Sequence, residues 1–69
     1  MKNTDNLNGA VIERGVISEV KNGKYKIRSV TRYGIITPFM SAIAGIYDVG
    51  DVVYYFMFDD GKGMILAAV

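Results

Sequence analysis

The residue types that most often perform catalysis are scarce in this chain. It contains neither Cys nor His, so no thiolate or imidazole can serve as nucleophile, general base or zinc ligand. The hydroxyls of Ser18, Ser29 and Ser41 therefore have no imidazole to activate them. The paired carboxylates Asp59 and Asp60 could bind a cation, but they directly precede Gly61, where Asp commonly braces a turn. The composition predicts a protein that is not an enzyme and that holds no metal or cofactor.

The charged residues are distributed unevenly along the sequence. One stretch carries five basic residues with no acid between them, and the acids Asp48, Asp51, Asp59 and Asp60 gather nearer the C-terminus. A surface for single-stranded nucleic acid needs cations for the phosphates and exposed aromatic rings for stacking. The nucleic-acid hypothesis uses Lys24, Lys26, Arg28 and Arg32, with Tyr33 as a stacking platform. The alternative is a solvated strand face, which the net charge of only +1 favours.

Strand-like segments must position these side chains. The run 11–21 is rich in β-branched residues and has Gly15 at its centre, which allows one long strand to bend and pair with two neighbours. Asn22-Gly23 then predicts a type I′ hairpin turn. The second strand covers 24–32, and a third begins at Ile35 and ends at Pro38.

The segment after Pro38 changes its pattern. Phe39, Met40, Ile43 and Ile46 recur at helical spacing, which predicts a short helical connector, with an irregular plug as the alternative. The fourth and fifth strands cover 52–58 and 64–69, joined by a tight turn.

Together these elements predict an all-β, five-stranded small barrel. The short helical connector between strands 3 and 4 favours an OB-fold-like arrangement, and a Src-homology-3-like barrel is the alternative. We expect a flexible N-terminal arm at 1–8 and a single domain at 9–69. The sequence shows neither a signal peptide nor an apolar run long enough for a spanning helix, so it predicts no membrane association and a cytoplasmic location, with the virion as a further one.

The fourth strand is apolar on both faces, which is unusual for a small barrel with one interior. We predict that Val52, Tyr54, Phe56 and Phe58 face the barrel core and that the alternate residues face outward. The predicted oligomer interface is Val53, Tyr55 and Met57, with Phe39 and Met40 of the connector. The alternative is that the connector or the N-terminal arm covers this outer face.

Several short motifs resemble those of a known family. The segments 15–20 (GVISEV), 24–28 (KYKIR), 49–56 (VGDVVYYF) and 63–67 (GMILA) are similar, in this order, to the OB-fold domain of phage tail baseplate hub and spike proteins. The resemblance covers about residues 11–69. Ala67 replaces the glycine usual in the closing strand of that family, and no β-helical spike follows.

The resemblance implies a structural barrel of phage or prophage type that assembles as a trimer. Its partners would be further copies of itself or other phage structural proteins. It does not imply membrane piercing.

Overall fold

The fold is a single antiparallel sheet with one parallel contact. The computed structural model describes residues 11–58 and 60–69, so the predicted arm at 1–8 lies outside the described residues. The strands are β1 (Val11–Lys21), β2 (Lys24–Ser29), β3 (Ser41–Ala42), β4 (Val52–Met57) and β5 (Gly63–Ala68). Their order in the sheet is β2-β1-β4-β5-β3, and β3 runs parallel to β5. The predicted all-β class with five strands is confirmed. The predicted third strand between Ile35 and Pro38 is wrong, because that segment makes only an isolated bridge and β3 begins at Ser41.

The long strand β1 lies between β2 and β4. Its second half pairs with β2 and its first half pairs with β4, and the two sets of pairs overlap at Gly15 and Val16. A Cβ at Gly15 would overlap the side chain of Ile27 and touch the ring of Tyr55. The absence of a side chain therefore lets both neighbouring strands pack closely against the middle of β1.

The sheet curls until its two edges meet. Tyr25 of β2 and Met40 exchange two backbone hydrogen bonds of 2.8 Å, and the amide of Thr37 donates to the carbonyl of Ile27 at 2.9 Å. These contacts join β2 to the segment that leads into β3. The result is a barrel-like sheet around one core.

The connector between β3 and β4 differs from the prediction. Among residues 11–58 and 60–69 no segment is helical, so the predicted helix is wrong. Met40 pairs with β2, and Ser41 and Ala42 pair with β5, so the backbone groups at the start of the predicted helix are already used in the sheet. Gly45 has φ of 90°, a conformation that a right-handed helix does not contain.

The core reverses the predicted faces of β4. Among the described side chains, seven apolar ones are buried in it: Ile17, Tyr25, Ile27, Met40, Val53, Tyr55 and Ile65. Val53 lies opposite Gly15 of β1, and Tyr55 lies opposite Ile65 of β5, so both point inward. Val52 and Tyr54 are exposed instead.

Three residues of the predicted oligomer interface are therefore interior residues: Val53, Tyr55 and Met40. The other two, Phe39 and Met57, are half-buried at the edge of the core. The assignment of faces was wrong because alternation fixes which residues share a face but not which face is inside.

Candidate interaction surface

The outer face of β1, β4 and β5 presents apolar side chains in three cross-strand rows. Residues directly opposite in antiparallel strands share a face and pack side by side. The rows are Ile12–Phe56–Met64, Arg14–Tyr54–Ala67 and Val16–Val52–Val69. We call these nine residues, together with Phe58, the sheet patch. Its single charged member is Arg14.

The sheet patch is open to solvent in the single chain. Ile12 is 67% exposed and Val69 is 61% exposed, and Val52, Tyr54 and Phe58 are about 40% exposed. The rings of Phe56 and Phe58 meet edge to face with centroids 5.5 Å apart. Contiguous exposed apolar surface of this kind marks interaction sites on soluble proteins.

The remaining exposed apolar side chains lie mainly in two loops. We call 30–36 the tip loop, which exposes Val30, Tyr33, Ile35 and Ile36. From here on, the connector is the segment 43–51 that the structure shows between β3 and β4, without Phe39 and Met40. It exposes Ile43, Ile46 and Val49. The exposed large apolar residues of the described chain therefore fall into three groups, with Val20 outside all of them.

A polar cluster fastens the tip loop to the barrel. The carboxylate of Glu13 accepts hydrogen bonds from the hydroxyls of Tyr55 (2.9 Å) and Ser29 (3.4 Å) and forms an ion pair with Arg32. The Ser29 hydroxyl oxygen accepts the amide hydrogens of Thr31 and Arg32 at 3.1 and 3.0 Å. Each member is thus used to hold the turn in place.

The environment shifts the pKa values of two members of this cluster. Burial raises the pKa of Glu13, but the hydrogen bonds from Tyr55 and Arg32 and the Arg32 charge outweigh it, so the net pKa is lowered. Burial and the adjacent Glu13 carboxylate raise the pKa of Tyr55. A phenol that is harder to ionise is a poor nucleophile. The hydrogen bonds and the ion pair of the cluster stabilise the tip loop.

We predict that acid weakens the fold through Glu13. Because its folded pKa lies below the ordinary value of 4.5, the stabilisation is present above that value and is lost as pH falls below it. The urea midpoint should therefore fall as the pH is lowered through 4.5. In Glu13→Gln the starting stability should be lower and this pH dependence flatter.

Glu19→Gln is the matched control, since it removes an exposed carboxylate from the same strand. It should retain the pH dependence of the parent chain. An equal pH dependence in Glu13→Gln and in the parent chain would contradict the assignment.

The predicted nucleic-acid residues are brought together only in part. Lys24, Lys26 and Arg28 alternate with buried residues and share the outer side of β2. Lys26 lies 4.0 Å from the carboxylate of Glu19 and 4.9 Å from the centroid of the Phe39 ring.

The other two predicted residues lie beyond the end of β2. Arg32 is paired with Glu13, and Tyr33 is at the exposed end of the tip loop. Tyr25 and Tyr55 are in the core and present no ring for stacking. Two of the four cations are thus held by carboxylates, which favours a solvated strand face.

A shallow groove of about 490 Å³ lies between the start of β2 and the β4–β5 turn. Lys24, Lys62 and Asp60 line it with charges of both signs, and Phe39 and Met64 contribute apolar surface. The Asp60 carboxylate accepts the amide hydrogen of Lys62 at 3.0 Å. This bond is the turn-bracing role expected of an Asp before glycine.

Comparisons of the chain with protein-family models, with curated proteins and with solved structures found no match. In the part of the chain that the structure describes, no group of three or more potential ligand residues is arranged to hold a metal ion. The described residues also contain no helix with the length and apolarity needed to cross a membrane. The sheet patch and the two apolar loops are the exposed apolar surfaces of the described residues that are typical of an interaction site.

Proposed function

We propose that this chain is a non-enzymatic structural or adaptor protein, an OB-like barrel that associates with copies of itself through the sheet patch. The observation that carries the proposal is the set of three apolar rows on the outer face of β1, β4 and β5. A phage or prophage assembly is the setting that the motif resemblance implies, and head or tail genes beside its own would support that origin.

Strand pairing supports the OB-like arrangement. An OB fold is a five-stranded, partly open Greek-key barrel. Here β1 pairs with both β2 and β4, β5 pairs with β4 and in parallel with β3, and two bridges connect β2 to the segment before β3. The parallel β3–β5 contact requires the chain to cross over through 43–51 before it returns. This crossover favours an OB-like arrangement over a Src-homology-3-like one.

A second copy is the occupant that the size and composition of the patch favour. Tyr54 and Phe58 each keep about 40% of their surface exposed, and Ile12 and Val69 more than 60%, so a second copy seated on the patch would bury contiguous apolar surface from all three rows. A surface with one charge among ten residues resembles the more apolar interfaces of homodimers. A chain of 69 residues also has a small core, so association would add to its stability.

The one charged residue of the patch is compatible with a two-fold interface. Arg14 lies opposite Tyr54 in the β1–β4 register. A two-fold contact that places Arg14 over an aromatic ring of the other copy would accommodate its charge. A guanidinium is a planar, weakly hydrated cation that stacks on aromatic rings, so its burial there can be favourable.

We predict that Val52→Lys weakens self-association. Val52 is in the third row of the patch and is 41% exposed, so lysine fits in the single chain, but in an interface it would bury a cation between apolar rows. Size-exclusion chromatography with light scattering should give an assembled parent chain at high micromolar concentration. The dissociation constant of the variant should rise at least about tenfold, or about 1.4 kcal/mol.

Val20→Lys is the control. Val20 of β1 has the same exposed fraction as Val52, 41%, but it lies outside the sheet patch. This variant should assemble like the parent chain. A parent chain that is strictly monomeric at high micromolar concentration, or equal effects of the two substitutions, would contradict the proposal.

A further inference from the structure

The tip loop presents a rigid apolar surface with positive charge. The side chain of Tyr33 is fully exposed. Its backbone has a φ of 56°, a conformation that non-glycine residues rarely adopt. Ile35 and Ile36 beside it are 57% and 55% exposed. The polar cluster around Glu13 fixes the loop, so little ordering remains to oppose binding.

The charge of the tip loop comes from Arg28 at its base. The side chain of Arg28 runs beside Gly34, because a Cβ on that glycine would lie 3.9 Å from the Arg28 Cδ. Arg32 and Glu13 neutralise each other. The surroundings of the loop are therefore net positive.

The connector is also apolar and fixed, but its charge is negative. Ile46 is 91% exposed and Val49 is 64% exposed, and 43–51 contains Asp48 and Asp51 with no Lys or Arg. The Asp51 carboxylate accepts the amide hydrogen of Asp48 at 2.8 Å. Backbone hydrogen bonds of 2.9 Å hold Gly50 and Asp51 to Ile17 of β1.

We infer that the tip loop of one copy docks on the connector of the next, in a head-to-tail contact separate from the sheet patch. The two loops are apolar and of opposite charge, so they complement each other and each disfavours contact with its own kind. Both are exposed in the same molecule, so a contact between them joins two copies. This inference rests on the self-association proposed above.

A head-to-tail contact has a different consequence from a two-fold one. A two-fold interface ends at a dimer, whereas a contact between two different surfaces repeats from copy to copy. The repeat closes into a ring if the rotation between copies allows it and otherwise continues as a filament. With both contacts present, the chain forms an assembly larger than a dimer.

The test uses two variants in a Val52→Lys background, which disables the sheet patch. The tip variant carries Tyr33→Asn and Ile35→Ser, and Asn suits the positive φ of position 33. The connector variant carries Ile46→Ser and Val49→Ser. We expect the Val52→Lys chain to show mass above a monomer at high micromolar concentration and each variant alone to be monomeric. An equimolar mixture should give a 1:1 dimer and nothing larger, because one intact tip meets one intact connector.

A charge exchange keeps the inference testable if either double substitution disturbs folding. Arg28→Glu and Asp48→Lys should each raise the dissociation constant at least about tenfold, and both together in one chain should restore association.

The outcomes separate this inference from the proposed function. Retained mass in both loop variants, a monomeric mixture, or an effect of the tip alone would overturn the head-to-tail contact. The last result would instead indicate that the tip loop contacts a part of the neighbouring copy other than the connector. If the loop substitutions made without Val52→Lys dissociate the parent chain and Val52→Lys alone does not, the sheet patch is wrong and the head-to-tail contact is supported.

Discussion

Gly63→Ala is expected to lower the free energy of unfolding by about 3 kcal/mol or more, at the upper end of overpacking costs. Gly63 begins β5 and pairs with Met57 of β4. A Cβ at this position would overlap the carbonyl oxygen of Phe56 and lie 2.9 Å from the Cα of Met57. Both neighbours are backbone atoms, so no side-chain rotation can relieve the overlap. The two strands would have to separate where the β4–β5 pairing begins.

The matched control for this prediction is Gly61→Ala in the adjoining turn. Gly61 has φ of 86°, and nothing lies within 4 Å of its added Cβ. Its cost is conformational alone, about 1–2 kcal/mol. Urea denaturation followed by tyrosine fluorescence or circular dichroism compares the two variants. Equal losses of stability would show that the close approach of β4 at Gly63 is not real.

Tyr55→Ala is expected to lower the free energy of unfolding by about 3–5 kcal/mol, as large-to-small changes of buried aromatic residues do. Tyr55 is 2% exposed and its hydroxyl donates to Glu13. Truncation would leave a cavity beside Ile65 and would remove one of the donors that keep the Glu13 carboxylate ionised.

Tyr54→Ala is the matched comparison, because it deletes the same side chain from the neighbouring position on the opposite face. Tyr54 is 39% exposed, so in the single chain its loss should cost less than about 1 kcal/mol. It should instead weaken self-association. The unfolding measurements should be made at low protein concentration, because an assembled state makes stability depend on concentration. A larger loss of stability in Tyr54→Ala than in Tyr55→Ala would restore the face assignment that the sequence suggested.

Local signals in the sequence predicted part of the fold correctly. Asn22 and Gly23 have φ of 52° and 75°, as the predicted type I′ turn requires. The length of β1 and its central Gly15 indicated a strand with two partners, and both partners are present. These features depend on residues that are adjacent in sequence, which is why a single chain reveals them.

The features that could not be predicted depend on distant pairing. Both faces of β4 are apolar enough to form part of the core. Its register with β1, where Gly15 lies opposite Val53, decides which face is inside. The helical spacing after Pro38 was overridden because Met40 and Ser41 pair with strands on either side.

The polar cluster was missed for the same reason. Glu13, the turn that contains Ser29 and Arg32, and Tyr55 lie far apart in sequence, and no motif connects them. The sequence has an excess of apolar residues in β4, which suggested a self-associating surface. The prediction assigned that surface to Val53 and Tyr55, which are buried, whereas Val52 and Tyr54 are exposed.

The position of β1 between β2 and β4 also determines the order in which contacts can form as the chain folds. The β1–β2 hairpin closes across a two-residue turn, which takes microseconds for isolated hairpins. The β1–β4 pairing joins residues about forty positions apart, such as Arg14 and Tyr54. Loop closure over that distance must precede any gain from burial. The early hairpin therefore contains only Ile17, Tyr25 and Ile27 of the core. Rapid folding depends on how quickly β4 reaches the free edge of β1.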